Sequence, residues 1–276
     1  MQNFTNKKIL ITGAGSGIGK CLALQFANLG AHLILTDNNL KNLVSIHEQI
    51  LTLSADSSYY LVDVSDYPAM QALSDKVFED HGDIDILINN AGVTLMDHIV
   101  DGKLDDFHWV MNINFWGVVN GVKVFLPSLL RQQEAHIVNL SSIFGIMSVP
   151  GQAAYNSSKF AVKGFTEALK MELTGTSVKV SSVHPGGVKT AIAENARMGL
   201  NITAASKDKL INEFNKSIYT SAEKAAMDII KGIKKNKRRI MIGWDARIAD
   251  IIVRLFPSHY EDLMALEKRY KKLQRE

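Results

Sequence analysis

The sequence predicts an α/β protein built on a doubly wound parallel sheet of about seven strands, with helices on both faces and a helical extension at the C-terminus. Two observations predict it. Short runs rich in Ile, Leu and Val alternate with longer stretches of helical periodicity from the first residues onward, and strands separated by helices pair in parallel. The runs hardly alternate with polar residues, which is how strands buried on both faces read. The 276 residues contain no repeat, low-complexity segment or Pro/Gly-rich linker, which predicts one domain over 1–276.

The expected strands, in order, are KKILIT (7–12), AHLILTD (31–37), YYLVD (59–63), IDILINN (84–90), HIVNLS (136–141), VKVSSVH (178–184) and RRIMIG (238–243). Helical periodicity fills 17–29, 39–53, 66–81, 104–131, 152–174 and 221–235. Residues 190–215 break the rhythm and read as a loop or short helices, a lid over a substrate. The extension covers 244–276. Its DARIADIIVRLF stretch (245–256) is strongly apolar, and after Pro257 the run S-H-Y-E matches a capping box that starts a helix at Ser258. That last helix carries Leu263, Leu266, Tyr270 and Leu273 on a stripe and ends basic.

A chain with 46% hydrophobic and 21% charged residues buries a large core. The net charge of +3 is uneven: residues 234–276 hold twelve Lys/Arg against six Asp/Glu, so the last 43 residues carry +6 and the first 233 carry −3. The sole cysteine, Cys21, excludes an internal disulfide, fits a reducing cytoplasm and reads as a small buried hydrophobe. The start lacks a secretory h-region, and no apolar run approaches the roughly 18 residues of a membrane span. The expectation is a soluble, cytoplasmic protein. The basic end has no interleaved aromatics beyond Tyr260 and Tyr270, which speaks against nucleic-acid binding. Eight histidines without an H-x-x-x-H pair, and one cysteine, predict no metal site.

Three patterns carry chemistry. The first strand runs into TGAGSGIG (12–19), where Gly13, Gly17 and Gly19 lie between a strand and a helix. Such a turn lets backbone N–H groups approach a pyrophosphate at the positive end of the helix. Asp37 ends the second strand, 24 residues beyond Gly13, where a carboxylate hydrogen-bonds the adenosine ribose hydroxyls. It would repel the extra phosphate of NADP, and Ser16, Asn38 and Asn39 offer no cation to offset this, so NAD is expected over NADP. A turn-forming aspartate is the plainer alternative. Third, Tyr155 and Lys159 share one helix face, one turn apart, and an ammonium beside a phenol favours the phenolate. A tyrosine and a lysine at this spacing also occur on helices by chance. Ser142 lies thirteen residues before the tyrosine.

These patterns stand in a fixed order with Asp63-Val64 after the third strand, Asn89-Asn90-Ala91-Gly92 after the fourth, Asn114 in NFWG, and Pro185-Gly186-Gly187-Val188-Lys189-Thr190. In that combination the chain, over about residues 5–243, resembles the single-domain branch of the short-chain dehydrogenase/reductase family. The resemblance implies a Rossmann-type fold and an NAD(P)-dependent oxidoreductase that interconverts an alcohol and its ketone or aldehyde. It implies catalytic roles for Tyr155 as acid/base, Lys159, Ser142 beside the substrate oxygen, and Asn114 holding a water. It implies a cofactor site formed by Gly13, Gly15, Ser16, Gly17, Ile18, Gly19, Asp37, Asp63, Val64, Asn90, Ala91, Gly92, Tyr155, Lys159, Pro185, Gly187, Val188 and Thr190. It also implies a homodimer or homotetramer, packed through 104–131 and 152–174.

The expected substrate wall comprises Thr94, Leu95, Met96, Ile143, Phe144, Met147, Val149 and Pro150, with Ser142 and Tyr155 at the reacting oxygen. These residues are mostly apolar and include no basic cluster, so an apolar secondary alcohol or its ketone is the expected small-molecule substrate. Two other readings remain open. A non-catalytic NAD-binding sensor would typically lack the tyrosine or lysine, and here both are present. A membrane-surface reductase of lipids or fatty aldehydes would use the basic C-terminal helix as its contact. Against this, the same helix reads as a subunit contact or as a cover over the active site.

Overall fold

A computed structural model describes residues 1–100, 102–199 and 219–262. Seven strands form one sheet: β1 (Lys8–Thr12), β2 (His32–Asp37), β3 (Ser57–Leu61), β4 (Ile86–Asn89), β6 (Ala135–Leu140), β7 (Val178–Pro185) and β11 (Arg239–Ile242). Their order is β11-β7-β6-β4-β1-β2-β3, and every pairing is parallel. After β3 the chain crosses back to the far side of β1, so β1 and β4 flank a topological switch point. At such a point, ligands bind beyond the carboxyl ends of the strands.

The two faces divide the core by residue parity. Ile9 and Ile11 of β1, with Leu33 and Leu35 of β2, pack under α1 (Gly17–Ala27) and α2 (Leu40–Thr52), a layer completed by the helix Ala222–Lys234, numbered α7 below. Leu10, Ile34 and Leu87 point the other way, against α3 (Tyr67–His81), α5 (Gly117–Arg131) and α6 (Ala153–Glu172). Successive strand side chains alternate faces, so a run of consecutive aliphatics serves both layers. Each such side chain, fully buried, contributes about 1.5–3 kcal/mol.

Local signals set the helix starts. The Asn39 side chain accepts from Asn42 N (3.1 Å) and caps α2, and Asp66 accepts from Ala69 N (3.1 Å) ahead of Pro68 in α3. Ser221 accepts from Lys224 N (3.2 Å) and caps α7 (Ala222–Lys234), whose last turn carries Lys231 and Lys234. The expected helix 104–131 is interrupted. It comprises α4 (Leu104–Met111), a π-turn (Asn112–Trp116) in which Gly117 N bonds Asn112 O, and α5. This run also corrects the expectation that no segment reaches spanning length: it holds an 18-residue window of mean hydropathy 1.3. Since 56% of that window is buried against the sheet and its neighbours, it is a core helix by placement.

Short strands finish the carboxyl end of the sheet: β5 (Leu95–Met96), β8 (Val188–Lys189), β9 (Arg197–Met198) and β10 (Thr220–Ser221). Of the expected lid, residues 190–199 consist of turns leading into β9, and 200–215 lie outside the described residues. Arg197 anchors this stretch, pairing with Asp106 (2.6 Å) and stacking 3.8 Å over the Trp109 ring of α4. The extension opens with α8 (Trp244–Leu255). Residues 257–259 form a turn and 260–262 are helical, so the described helical turn begins two residues beyond Ser258. The stripe Leu263, Leu266, Tyr270 and Leu273 lies outside the described residues.

Candidate active site

A cleft of about 730 Å³ opens at the carboxyl ends of β1 and β4 and runs from Asp37, past Tyr155, to Tyr260. Its first part is the glycine turn. Gly13 has φ +63°, and a Cβ there would lie 2.8 Å from Ala91 Cα; Gly17 has φ +51°, with Thr190 3.2 Å from where its Cβ would be. Both positions therefore need glycine. Ser16 is the N-cap of α1 but makes no side-chain cap bond, so its hydroxyl leaves the first-turn N–H groups uncapped where Ser16, Gly17 and Ile18 line the cleft. Ile18 lines the cleft, while Gly19 is buried in the first turn against the Asn90 amide.

The Asn90 side chain donates to Thr12 O (2.9 Å) and Gly13 O (3.0 Å), while Thr12 Oγ1 accepts from Asn90 N (3.0 Å) and Ala91 N (3.1 Å). These bonds lock the glycine turn to the end of β4. Asp37 Oδ2 accepts from Gly15 N (2.9 Å) and Oδ1 from Asn39 N (3.0 Å), so Asp37 fixes the turn as well as facing the cleft. Asp63 and Val64 line the same end. Asp63 also accepts from Ser65, and Val64 is held by Asn120 Nδ2 donating to its carbonyl (2.9 Å). Asn89 stays out of the cleft and ties β4 to β6 through Asn139 (2.8 Å).

At the middle of the cleft stand Ser142, Tyr155 and Lys159, all buried. Lys159 Nζ donates to Leu140 O (3.0 Å) and lies 5.6 Å from the centre of the Tyr155 ring. Ser141 Oγ donates to Lys159 O (2.8 Å), and Ser142 Oγ accepts from Phe144 N (3.1 Å) at the start of a 3-10 turn (Ile143–Gly145). The carbonyl of Ser142 meets His184 Nδ1 at 3.1 Å, and Ser182 Oγ holds the other ring nitrogen at 2.9 Å. Asn114, fully buried in the π-turn, spends both side-chain atoms on protein. Val93 N (2.8 Å) donates to its oxygen, and its amide donates to Val93 O (2.9 Å) and Ser158 Oγ (3.0 Å). Ser158 in turn donates to Tyr155 O (2.8 Å), so Asn114 braces the tyrosine's helix.

The electrostatics differ from the expectation that the lysine alone favours the phenolate. Burial pushes the Tyr155 phenol above its ordinary value, and hydrogen bonding to Ser142 pulls it back only in part. Burial also lowers Lys159 to about 8.

The far side of the cleft is formed by Pro185, Gly187, Val188 and Thr190. Gly187 N donates to Asp245 Oδ2 (2.6 Å), and Gly187 O accepts from Tyr219 N and Thr220 N (both 3.1 Å). Ile143, Phe144, Met147 and Val149 line the next stretch, and Phe144 meets the Tyr155 ring edge-on at 6.2 Å. Leu95 is a correction. It turns inward and packs with Val110 and Ala154, while its neighbours Thr94 and Met96 face the cleft. Sequence reasoning also missed Trp244, Ile248, Ala249, Ile252 and Val253 of α8, and Tyr219 and Tyr260, as lining residues. The signal lay in the apolar run 245–256, whereas the expected cover or subunit contact falls on the basic helix that follows it. Among the described residues no group of His, Cys, Asp and Glu suits a metal ion.

Comparison with known proteins gives the same picture. Residues 7–201 match the family described as short chain dehydrogenase. The chain is 38% identical over 269 residues to "Putative oxidoreductase SadH" of Mycobacterium tuberculosis, covering 96% of each protein. It is 37% identical over 201 residues to the 3-oxoacyl-[acyl-carrier-protein] reductase FabG of Thermotoga maritima, covering 73% of this chain and 82% of that one. Its fold superimposes on a short chain dehydrogenase/reductase of Burkholderia phymatum, crystallised in complex with NAD, with a TM-score of 0.84, 30% identity and coverage of 96% and 97%. With sequence, fold and glycine turn in agreement along nearly its whole length, the chain belongs to the short-chain dehydrogenase/reductase family of oxidoreductases.

Proposed function

We propose that the protein oxidises an apolar secondary alcohol to its ketone, or runs the reverse reaction, with NAD as cofactor and Tyr155 as acid/base. The observation that carries this reading is one continuous cleft with Asp37 and the glycine turn at one end and buried Ser142, Tyr155 and Lys159 at its middle. The residues fit the cofactor. Side chains are excluded from the turn at Gly13, and the first-turn N–H groups of α1 suit a pyrophosphate. Asp37 would bind the adenosine ribose, Asp63 and Val64 the adenine, and Thr190 with Gly187 and Val188 the carboxamide end. Lys159 is the cleft's only cation among the described lining residues, and it lies far from Asp37 in sequence and role. A ribose phosphate would find a carboxylate and no counter-charge, hence the preference for NAD.

When bound, the nicotinamide supplies a hydride acceptor or donor. The protein's part is proton transfer and orientation. In oxidation the carbinol hydrogen leaves with the electron pair of its C–H bond as hydride, and the O–H proton passes to Tyr155, which acts from a minor phenolate form because burial raises its phenol. In reduction Tyr155 returns that proton to the carbonyl oxygen. Ser142 donates a hydrogen bond to the same oxygen as charge develops there. Lys159, protonated roughly ten to one at neutral pH with its value near 8, holds a positive charge beside the phenol. Phe144, Met147 and Val149 exclude water from the reacting carbon.

The test is Tyr155→Phe, assayed with NAD and a panel of secondary alcohols. Turnover is expected to fall at least a thousandfold while NADH binding, followed by fluorescence, changes by no more than a few-fold. Undiminished turnover would rule out the tyrosine's role, and turnover confined to sugars or hydroxy acids would rule out the apolar substrate.

A further inference from the structure

Beyond Tyr155 the cleft continues as a slot whose outer wall is α8. Trp244, Ile248, Ala249, Ile252 and Val253 line it, at spacings of four, one, three and one. These positions form a single stripe on one helix face. The stripe is apolar throughout, and Trp244 and Ile248 remain half exposed within it. Phe144, Met147 and Val149 stand opposite. Two hydrogen bonds fix the wall to the catalytic half. Asp245 accepts from Gly187 N (2.6 Å) at the helix start, and Tyr260 Oη accepts from Ser148 N (3.2 Å) beyond its end. The wall is therefore tied at both ends to the loops that bracket Tyr155.

We infer that this slot binds an unbranched alkyl or acyl chain of about ten carbons, extending from the reacting carbon along α8. The inference rests on the proposed alcohol/ketone chemistry and adds the substrate's shape. The slot's length follows from the helix: the ten residues from Trp244 to Val253 rise roughly 14 Å over their nine steps, about the reach of an extended ten-carbon chain. Its polarity follows from the lining. Apart from Asp245, whose Oδ2 accepts from Gly187 N while Oδ1 has no partner, no charged side chain among the described residues lines this arm. A carboxylate or phosphate would find no cation there, whereas a hydrocarbon chain gains from burial.

The experiment is a homologous series of 2-alkanols from four to fourteen carbons, assayed with NAD. In parallel, binding of 2-decanone is followed by tryptophan fluorescence, which Trp244 reports. For the intact enzyme kcat/KM is expected to rise about fourfold per methylene and level off near ten carbons. Ile252→Trp and Val253→Trp, which fill the distal end, are expected to lower the ratio of kcat/KM for 2-decanol over 2-butanol at least tenfold. Arg247→Trp, exposed on the opposite helix face and outside the lining, is expected to leave that ratio unchanged. Turnover with a flat dependence on chain length would overturn the slot and leave the oxidoreductase reading intact, as would a ratio that fails to move in both distal variants. Tight binding of 2-decanone without turnover of any alkanol would support the slot and overturn the reaction. Neither binding nor turnover would overturn both.

Discussion

Removing the charge of Lys159 should make the protein more stable and less active, and pH should reveal the cause. The lysine is buried, with 4% of its surface exposed, and burial lowers its value from 10.5 to about 8. Its folded value lies below its unfolded one, so between these two limits the unfolded chain binds more protons. Stability therefore rises with pH across that window, and the full gain is present only above the unfolded value. For these two values the gain from pH 7 to pH 9.5 is about 2 kcal/mol, of an available ~3 kcal/mol. The variant is Lys159→Met, which keeps the aliphatic stem and loses both the ammonium and its hydrogen bond to Leu140 O. That lost charged bond leaves Leu140 O buried without a partner and costs about 2 kcal/mol, so the net gain at pH 7 should be about 1 kcal/mol. Tyr155 works in the opposite direction, since a raised phenol value withdraws stability above pH 10, which is why the comparison stops at 9.5.

The assay is denaturant unfolding of wild type and Lys159→Met at pH 7.0 and 9.5, at equal protein concentration so that association cancels. Wild type should gain about 2 kcal/mol relative to the variant over this interval. An equal pH response in the two proteins would mean that the lysine is not desolvated in the folded state, and the reasoning about the paired groups would fail with it.

Two further outcomes follow from the same geometry. Burial lowers the imidazoles of His136 to about 3 and His184 to about 4. Their folded values lie below the ordinary one, so the stability they confer is present above pH 6.5 and is lost as pH falls, by about 3 kcal/mol each at pH 4. His184→Asn should remove half of that acid sensitivity in unfolding experiments between pH 6.5 and 4, and an unchanged slope would show that His184 is already accessible to protons. At the other end of the cleft, Asp37→Ser should raise the ratio of NADP to NAD in kcat/KM at least a hundredfold by removing a like charge from the ribose site. A ratio that stays put would mean that Asp37 serves only the turn, through Gly15 and Asn39.

Much of this molecule was legible in its sequence, for reasons that differ by element. The seven sheet strands were readable because burial on both faces forces nearly unbroken aliphatic runs, and Ile9, Leu10 and Ile11 serve opposite core layers in succession. The glycine turn was readable because positive φ at Gly13 and Gly17 admits little else. The π-turn at Asn112–Trp116 left no such trace. Its one-residue insertion preserves the apolar character of the run, and only the hydrogen bonds of Asn114 to Val93 and Ser158 explain it. Leu95 was misplaced for a related reason. In a two-residue strand the sequence does not show which of Thr94, Leu95 and Met96 turns inward, and packing against Val110 and Ala154 decided it.

The contribution of α8 could not be read, because a stripe of Ile and Val looks the same whether it faces a core, a subunit or a substrate. What assigns it to the cleft is polar rather than apolar. Asp245 sits in the first turn of α8, and a Cβ at Gly186 or at Gly243 would run into its carboxylate. That acid holds Gly187, the same backbone unit that joins β10 beside the proposed carboxamide site. The wall of the slot and the floor of the cofactor site are thus fastened through one side chain, whereas none of the hydrogen bonds that orient Ser142 and Lys159 is made by a side chain of the stripe. It follows that substitutions along Ile248, Ile252 and Val253 can change which molecule is held without disturbing the proton transfer. A change at Asp245 would disturb both, and it should appear as a loss of NADH affinity together with a loss of preference for long chains.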